Sequence, residues 1–128
     1  MINPPSPRNF PRWFDPRNRK IGNLAFILNR VTALGLTLYL GMHLFMLGKL
    51  ALGPEAYDAF IAFAKSPWIK AGELLVIAAG IIHGLNGIRI AITSFGIGAR
   101  YQKQMFLSLM GLALIAIVYF AYFMFFIV

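Results

Sequence analysis

The sequence predicts an all-α membrane protein with three transmembrane helices, at about 24–52, 69–93 and 103–128. Three observations lead there. Of the 128 residues 59% are hydrophobic and only 12% charged, with mean hydropathy +0.72, so the chain carries about half the charge of an ordinary soluble domain and is no water-soluble globule. The apolar runs 31–52, 69–93 and 105–128 each reach the roughly 20 residues needed to cross a hydrocarbon core. The charges fall between these runs. Twelve Lys and Arg against four Asp and Glu give a formal +8, but the basic residues form no continuous face, which excludes nucleic acid as a partner.

The first run follows Arg8, Arg12, Arg17, Arg19 and Lys20, yet it is too long for a signal peptide and lacks a small-residue cleavage pattern, so it reads as a retained span. Lys49, Lys65 and Lys70 in the first connection are offset by Glu55 and Asp58, whereas Arg89, Arg100 and Lys103 have no acid near them. The positive-inside rule then places the N-terminus in the cytoplasm and the C-terminus outside. Residues 1–22 read as a cytoplasmic arm, since five prolines among Phe10, Trp13 and Phe14 resist helix and supply interfacial rings. The remainder, 23–128, reads as a single three-helix domain. Gly53-Pro54 starts a short surface helix at about 54–65, with Tyr57, Phe60, Ile61 and Ala64 along one side and Ser66-Pro67 ending it. In the third span Gly111, Ala113, Ala116 and Ala121 permit close helix approach.

Ionisable residues at membrane depth mark functional sites by default. The absence of Cys removes disulfides, thiolate metal sites, cysteine-ligated iron–sulfur clusters and thiol chemistry, so any metal centre rests on His43 and His83. With Arg30 and Arg89 taken as marking the inner edge, His43 lies about 20 Å and His83 about 9 Å from it, a separation in depth of about 10 Å. One porphyrin cannot use both, because its two axial imidazoles must approach the same iron at about 2 Å. Each histidine needs a partner ligand from another chain.

Ala79, Gly80 and Gly87 share the His83 side of their helix and would let a macrocycle lie against the backbone. Gly80 and Gly84 also fit a small-residue helix contact, with His83 only a hydrogen-bonding group, and spacing alone leaves both readings open. The His43 side carries bulkier Leu36, Tyr39, Leu40 and Leu47 beside Gly35, and its role is equally open between ligand and interhelical hydrogen bond. Arg30 and Arg89 either snorkel to the interface or hold the carboxylates of a haem propionate. Asn86 is a candidate hydrogen-bonding group within the bundle or to a cofactor, while Glu73 sits where an interfacial carboxylate is cheap.

Two motifs carry a family resemblance. Ile27-Leu28-Asn29-Arg30-Val31-Thr32 is similar to an I-x-H-R-x-[ST]-G run, and His83-Gly84-Leu85-Asn86-Gly87-Ile88-Arg89 matches H-x-x-x-G-x-R. The chain thereby resembles the cytochrome b556 membrane-anchor subunit of succinate dehydrogenase, with fumarate reductase anchors as near relatives. The resemblance implies half of a haem-binding helix bundle in a prokaryotic cytoplasmic membrane. His83 would be an axial ligand of haem b, opposite a ligand from a second small membrane-anchor subunit. An iron–sulfur subunit, fed by a flavoprotein subunit that oxidises succinate, would deliver electrons to quinone in the anchor. Arg30 matches the family arginine near the quinone and the propionates, and Arg89 completes the second motif.

Departures from the pattern bear on the quinone site. Phe26 stands where single-haem members place a quinone-binding serine, Asn29 replaces the motif histidine and Ala33 the glycine. His43 resembles the first-span ligand of two-haem anchors, so two haems per anchor pair are expected, with His43 on the outer and His83 on the inner one. This chain would carry no succinate active site. The alternatives are a cytochrome b anchor of another respiratory dehydrogenase, or a small transporter or structural membrane protein without haem, in which the histidines bond between helices.

Overall fold

The computed structural model describes residues 20–127; the arginines and rings of the expected arm, from Arg8 to Arg19, lie outside the described residues. Four α-helices follow one another, α1 (Ile21–Leu47), α2 (Pro54–Ala64), α3 (Pro67–Ser94) and α4 (Gln102–Tyr122), and there is no strand among the described residues. Tighter or wider turns extend them: a 3₁₀ segment at Gly48–Leu52 prolongs α1, another at Ala99–Tyr101 leads into α4, and a π turn at Phe123–Ile127 ends it. Three stretches, Ile21–Leu52, Pro67–Ser94 and Ala99–Ile127, are long and apolar enough to cross a membrane, in agreement with the expected spans to within a few residues.

Proline and glycine set the element ends. Pro54 and Pro67 occupy the first turns of α2 and α3, where a missing N–H costs nothing. Gly53, Gly96 and Gly98 have φ of 104°, 77° and 67°, values that a side chain disfavours, and they form the corners before α2 and between α3 and α4. In α2 the expected face, Tyr57, Phe60, Ile61 and Ala64, is the half-buried one.

The central element is α3, which packs along α1 on one side and α4 on the other, while α1 and α4 meet only sparingly. Two contacts pin α3 to α4 at opposite ends. Lys70 Nζ reaches the Met124 carbonyl at 3.5 Å, where a cation also suits the negative end of α4. At the other end the Arg89 guanidinium lies 5.8 Å from the centre of the Phe106 ring. Between these pins α3 advances about nineteen residues and α4 retreats about eighteen, an antiparallel pairing in constant register. Ala113, at the middle of α4, is buried, and Ala116 and Ala121 are half-buried; Gly111 is exposed, and a methyl group there would meet nothing of the described residues within 4 Å.

The α1–α3 seam is held by polar groups. Asn86 Nδ2 donates to the Ala25 carbonyl at 3.1 Å, and Asn86 Oδ1 accepts from Arg89 Nε at 2.9 Å. Both Asn86 and Ala25 are fully buried. One neighbour only accepts and the other only donates, which fixes the amide's orientation. Membrane helices must settle polar groups internally, and three further hydroxyls do so against their own backbone: Thr37 on Ala33, Thr93 on Arg89 and Ser94 on Ile90.

Replacing Asn86 by Leu leaves the buried Arg89 Nε–H without its partner and removes the tie to the Ala25 carbonyl, which keeps only its own helix bond. It is expected to cost about 1–3 kcal/mol of stability, read as a lower melting temperature in detergent. The exposed Ser108→Ala should stay within about 0.5 kcal/mol in the same measurement.

Candidate functional site

The seam continues one turn above Asn86. His83 Nδ1 lies 3.1 Å from the Asn29 carbonyl and 3.1 Å from Thr32 Oγ1, both on α1. The Thr32 hydroxyl reaches back to the Leu28 carbonyl at 2.8 Å and to that of Asn29 at 3.0 Å. A carbonyl oxygen can only accept, so Nδ1 of the neutral ring must carry the proton that meets Asn29. Thr32, with its one proton turned to the α1 backbone, is an acceptor as well. The tautomer is thereby fixed: Nδ1–H is held by two oxygens and the lone pair sits on Nε2. Nothing among the described residues hydrogen-bonds Nε2.

Around α3, Asn86 lies to one side of His83 and Gly80, Gly84 and Gly87 to the other. A methyl group built on any of these glycines would meet nothing of the described residues within 4 Å. The small-residue helix contact that Gly80 and Gly84 could make is thus not made among the described residues. Among the described residues, the glycine side of α3 is open beside a histidine whose Nε2 has no hydrogen-bond partner and carries the lone pair.

Arg89 does not extend from its helix end. It is 7% exposed, folded between Asn86 and Phe106, and no carboxylate pairs with it among the described residues. Arg30 is exposed, and its guanidinium stacks over the Phe26 ring at 4.2 Å. Between Arg30 and the seam, Asn29 Oδ1 is buried without a hydrogen-bond partner among the described residues.

The register between helices corrects the expected depths. Asn86 stands opposite Ala25, so Arg89 is level with the first turn of α1, whereas Arg30 follows the residue whose carbonyl holds His83. The two arginines therefore do not mark one level. His43 lies about eleven residues beyond Thr32, roughly 16 Å further along α1, rather than the 10 Å expected from aligned arginines. That spacing is close to three full turns and returns His43 to the Thr32 side of α1. There it is exposed, in contrast to buried Thr32, because the buried side of α1 is confined to its N-terminal part. The His43 ring stacks on Tyr39 with centroids 5.3 Å apart, and Tyr39 Oη lies 3.4 Å from Nδ1. The structure does not bring His43 and His83 together.

Residues 9–126 match the model of the succinate dehydrogenase/fumarate reductase transmembrane subunit. The chain belongs to this family. It is 31% identical over 85 residues to the succinate dehydrogenase 2 membrane subunit SdhC of Mycobacterium tuberculosis, a match covering 66% of this chain and 62% of that protein. It is 27% identical over 112 residues to the succinate dehydrogenase hydrophobic membrane anchor subunit of Halobacterium salinarum, covering 84% of each. Within this family's membrane subunit, the residue that sequence reasoning passed over is Thr32. Its hydroxyl ends the first motif, and only the pairing of α1 with α3 shows that it meets His83.

The open glycine side yields a direct expectation. Gly84→Ala should leave the melting temperature of the detergent-solubilised chain unchanged or slightly raised, since it adds helix propensity without a clash.

Proposed function

We propose that this chain is an electron-transfer anchor of a succinate:quinone oxidoreductase, holding haem b through His83 and helping to form the quinone site. The observation that carries the reading is the state of His83: Nδ1–H anchored on two α1 oxygens, Nε2 unbonded, beside glycines that leave room for a macrocycle. Histidine ligands characteristically present one nitrogen to the metal while the other donates to a carbonyl. Among the described residues no three metal-ligating side chains gather, and a porphyrin iron needs only one from this chain, since the macrocycle supplies four nitrogens. When bound, the haem would supply one-electron chemistry between the iron–sulfur subunit and quinone.

The opposite ligand of the His83 haem would come from a second small membrane-anchor subunit. Exposed His43, backed by Tyr39, would serve a second haem in the outer half, giving two per anchor pair. Its separation from His83 along the membrane normal supports two centres rather than one. Arg89, buried without a carboxylate among the described residues, suits a haem propionate, and Arg30 suits a propionate or the quinone. Phe26 would present the quinone with a ring in place of the hydroxyl of single-haem relatives, keeping Arg30 oriented by stacking.

In this reading an iron–sulfur subunit and a flavoprotein subunit complete the complex, succinate is oxidised outside this chain, and lipid covers the remaining apolar surface. The chain sits in a prokaryotic cytoplasmic membrane with its N-terminus cytoplasmic and its C-terminus outside, as the basic loops favour. A second reading, a haem-free anchor, is favoured by the interhelical hydrogen bond that His83 already makes to Asn29.

A reduced-minus-oxidised spectrum of the purified complex, with haem counted per copy of this chain, decides between them. Two haems are expected; a colourless complex would leave His83 as a hydrogen-bonding residue only. His83→Ala should abolish the inner haem, and His43→Ala should remove one haem and spare the other. Arg30→Ala should slow quinone reduction at least tenfold while electron transfer from succinate to a soluble dye stays near wild type, the two rates being compared on the same preparation.

A further inference from the structure

We infer that Thr32 is a positioning residue that sets the donor strength and orientation of the His83 imidazole. The inference rests on the proposed ligation by His83 and deepens it. Thr32 is 6% exposed, and a buried hydroxyl in a membrane helix would ordinarily be satisfied by its own backbone alone. Here the backbone takes the hydroxyl proton, at the Leu28 and Asn29 carbonyls, and leaves the oxygen lone pairs facing His83 Nδ1 at 3.1 Å. The same N–H also faces the Asn29 carbonyl at 3.1 Å. One donor therefore meets two acceptors, both fixed to a single turn of α1.

Two effects follow from this clamp. The ring cannot rotate without losing both oxygens, so Nε2 is held in one direction, towards whatever binds there. The two acceptors draw the Nδ1 proton outward and raise electron density on the ring, which makes Nε2 a stronger donor and favours the oxidised form of a bound iron. Asn29 acts through its main-chain carbonyl, so its side chain is free to differ from the histidine of the family motif without disturbing the clamp. Thr32 acts through its side chain, and its contribution can be removed by substitution.

Thr32→Val keeps the branched shape and loses the oxygen. In the assembled complex, the His83 haem of this variant should show a more positive midpoint potential and be lost roughly 10–100-fold more readily to an apo-haemoprotein acceptor. Thr32→Ser should return both properties to wild type, and Thr32→Cys, a weaker acceptor of similar size, should fall between Ser and Val. A Val variant with wild-type potential and haem retention would overturn the inference, as would a Ser variant that fails to rescue or a series that loses assembly alike. His83→Ala run alongside separates the two levels of argument. If it keeps the full haem content, ligation by His83 is itself wrong; if it loses haem while Thr32→Val behaves as wild type, only the role of Thr32 falls.

Discussion

The constraint on which the structure depends is that polar groups inside a membrane must find their partners in the protein. In this chain those partners lie across the α1–α3 seam. Asn86 reaches the Ala25 carbonyl, Arg89 is tied to Asn86, and His83 stands on the Asn29 carbonyl and Thr32. Two successive turns of α3, at His83 and Asn86, are thus matched to two turns of α1, and Arg89 braces Asn86 from its own helix. Sliding either helix by one residue would strand several of these groups at once, so the polar seam fixes the register more firmly than apolar contacts between interchangeable Leu and Ile side chains could.

The seam is confined to the N-terminal part of α1, and the part beyond it is different in kind. There the same side of α1 carries Tyr39 and His43 with no cover from α3, and the glycines of α3 beside His83 face open space. Few side chains are buried anywhere in the described residues, and most large apolar ones are exposed. Three helices in this arrangement do not enclose an interior. Such surfaces are complete only against lipid or another helical chain, which accords with a subunit that contributes one side of a site rather than the whole of it.

Within the seam, the histidine is read differently once its hydrogen bonds are known. A histidine with both nitrogens bonded to protein would be a structural crosslink. His83 has one nitrogen committed to two acceptors and the other without a partner among the described residues, so the ring is anchored through one nitrogen only. The buried Arg89 follows a similar logic: its Nε is structural, and the charge on the rest of the guanidinium is not matched by a carboxylate among the described residues.

The three spans, their order and their approximate ends were legible in the amino-acid sequence, because hydrocarbon thickness sets a length that 20 or so apolar residues must meet and because Gly53-Pro54 and Ser66-Pro67 interrupt helices by local chemistry alone. His43, His83, Arg30 and Arg89 also stand out in the sequence, since each is costly at membrane depth. What the sequence could not supply was the relative height of two helices. Arg30 and Arg89 look equivalent as basic residues at span ends, yet α3 is set so that Arg89 lies level with the first turn of α1 and Arg30 near the level of His83. That offset is decided by which buried donors and acceptors can meet, a property of two packed surfaces that no single helix carries, and it is also what makes Thr32 part of the site.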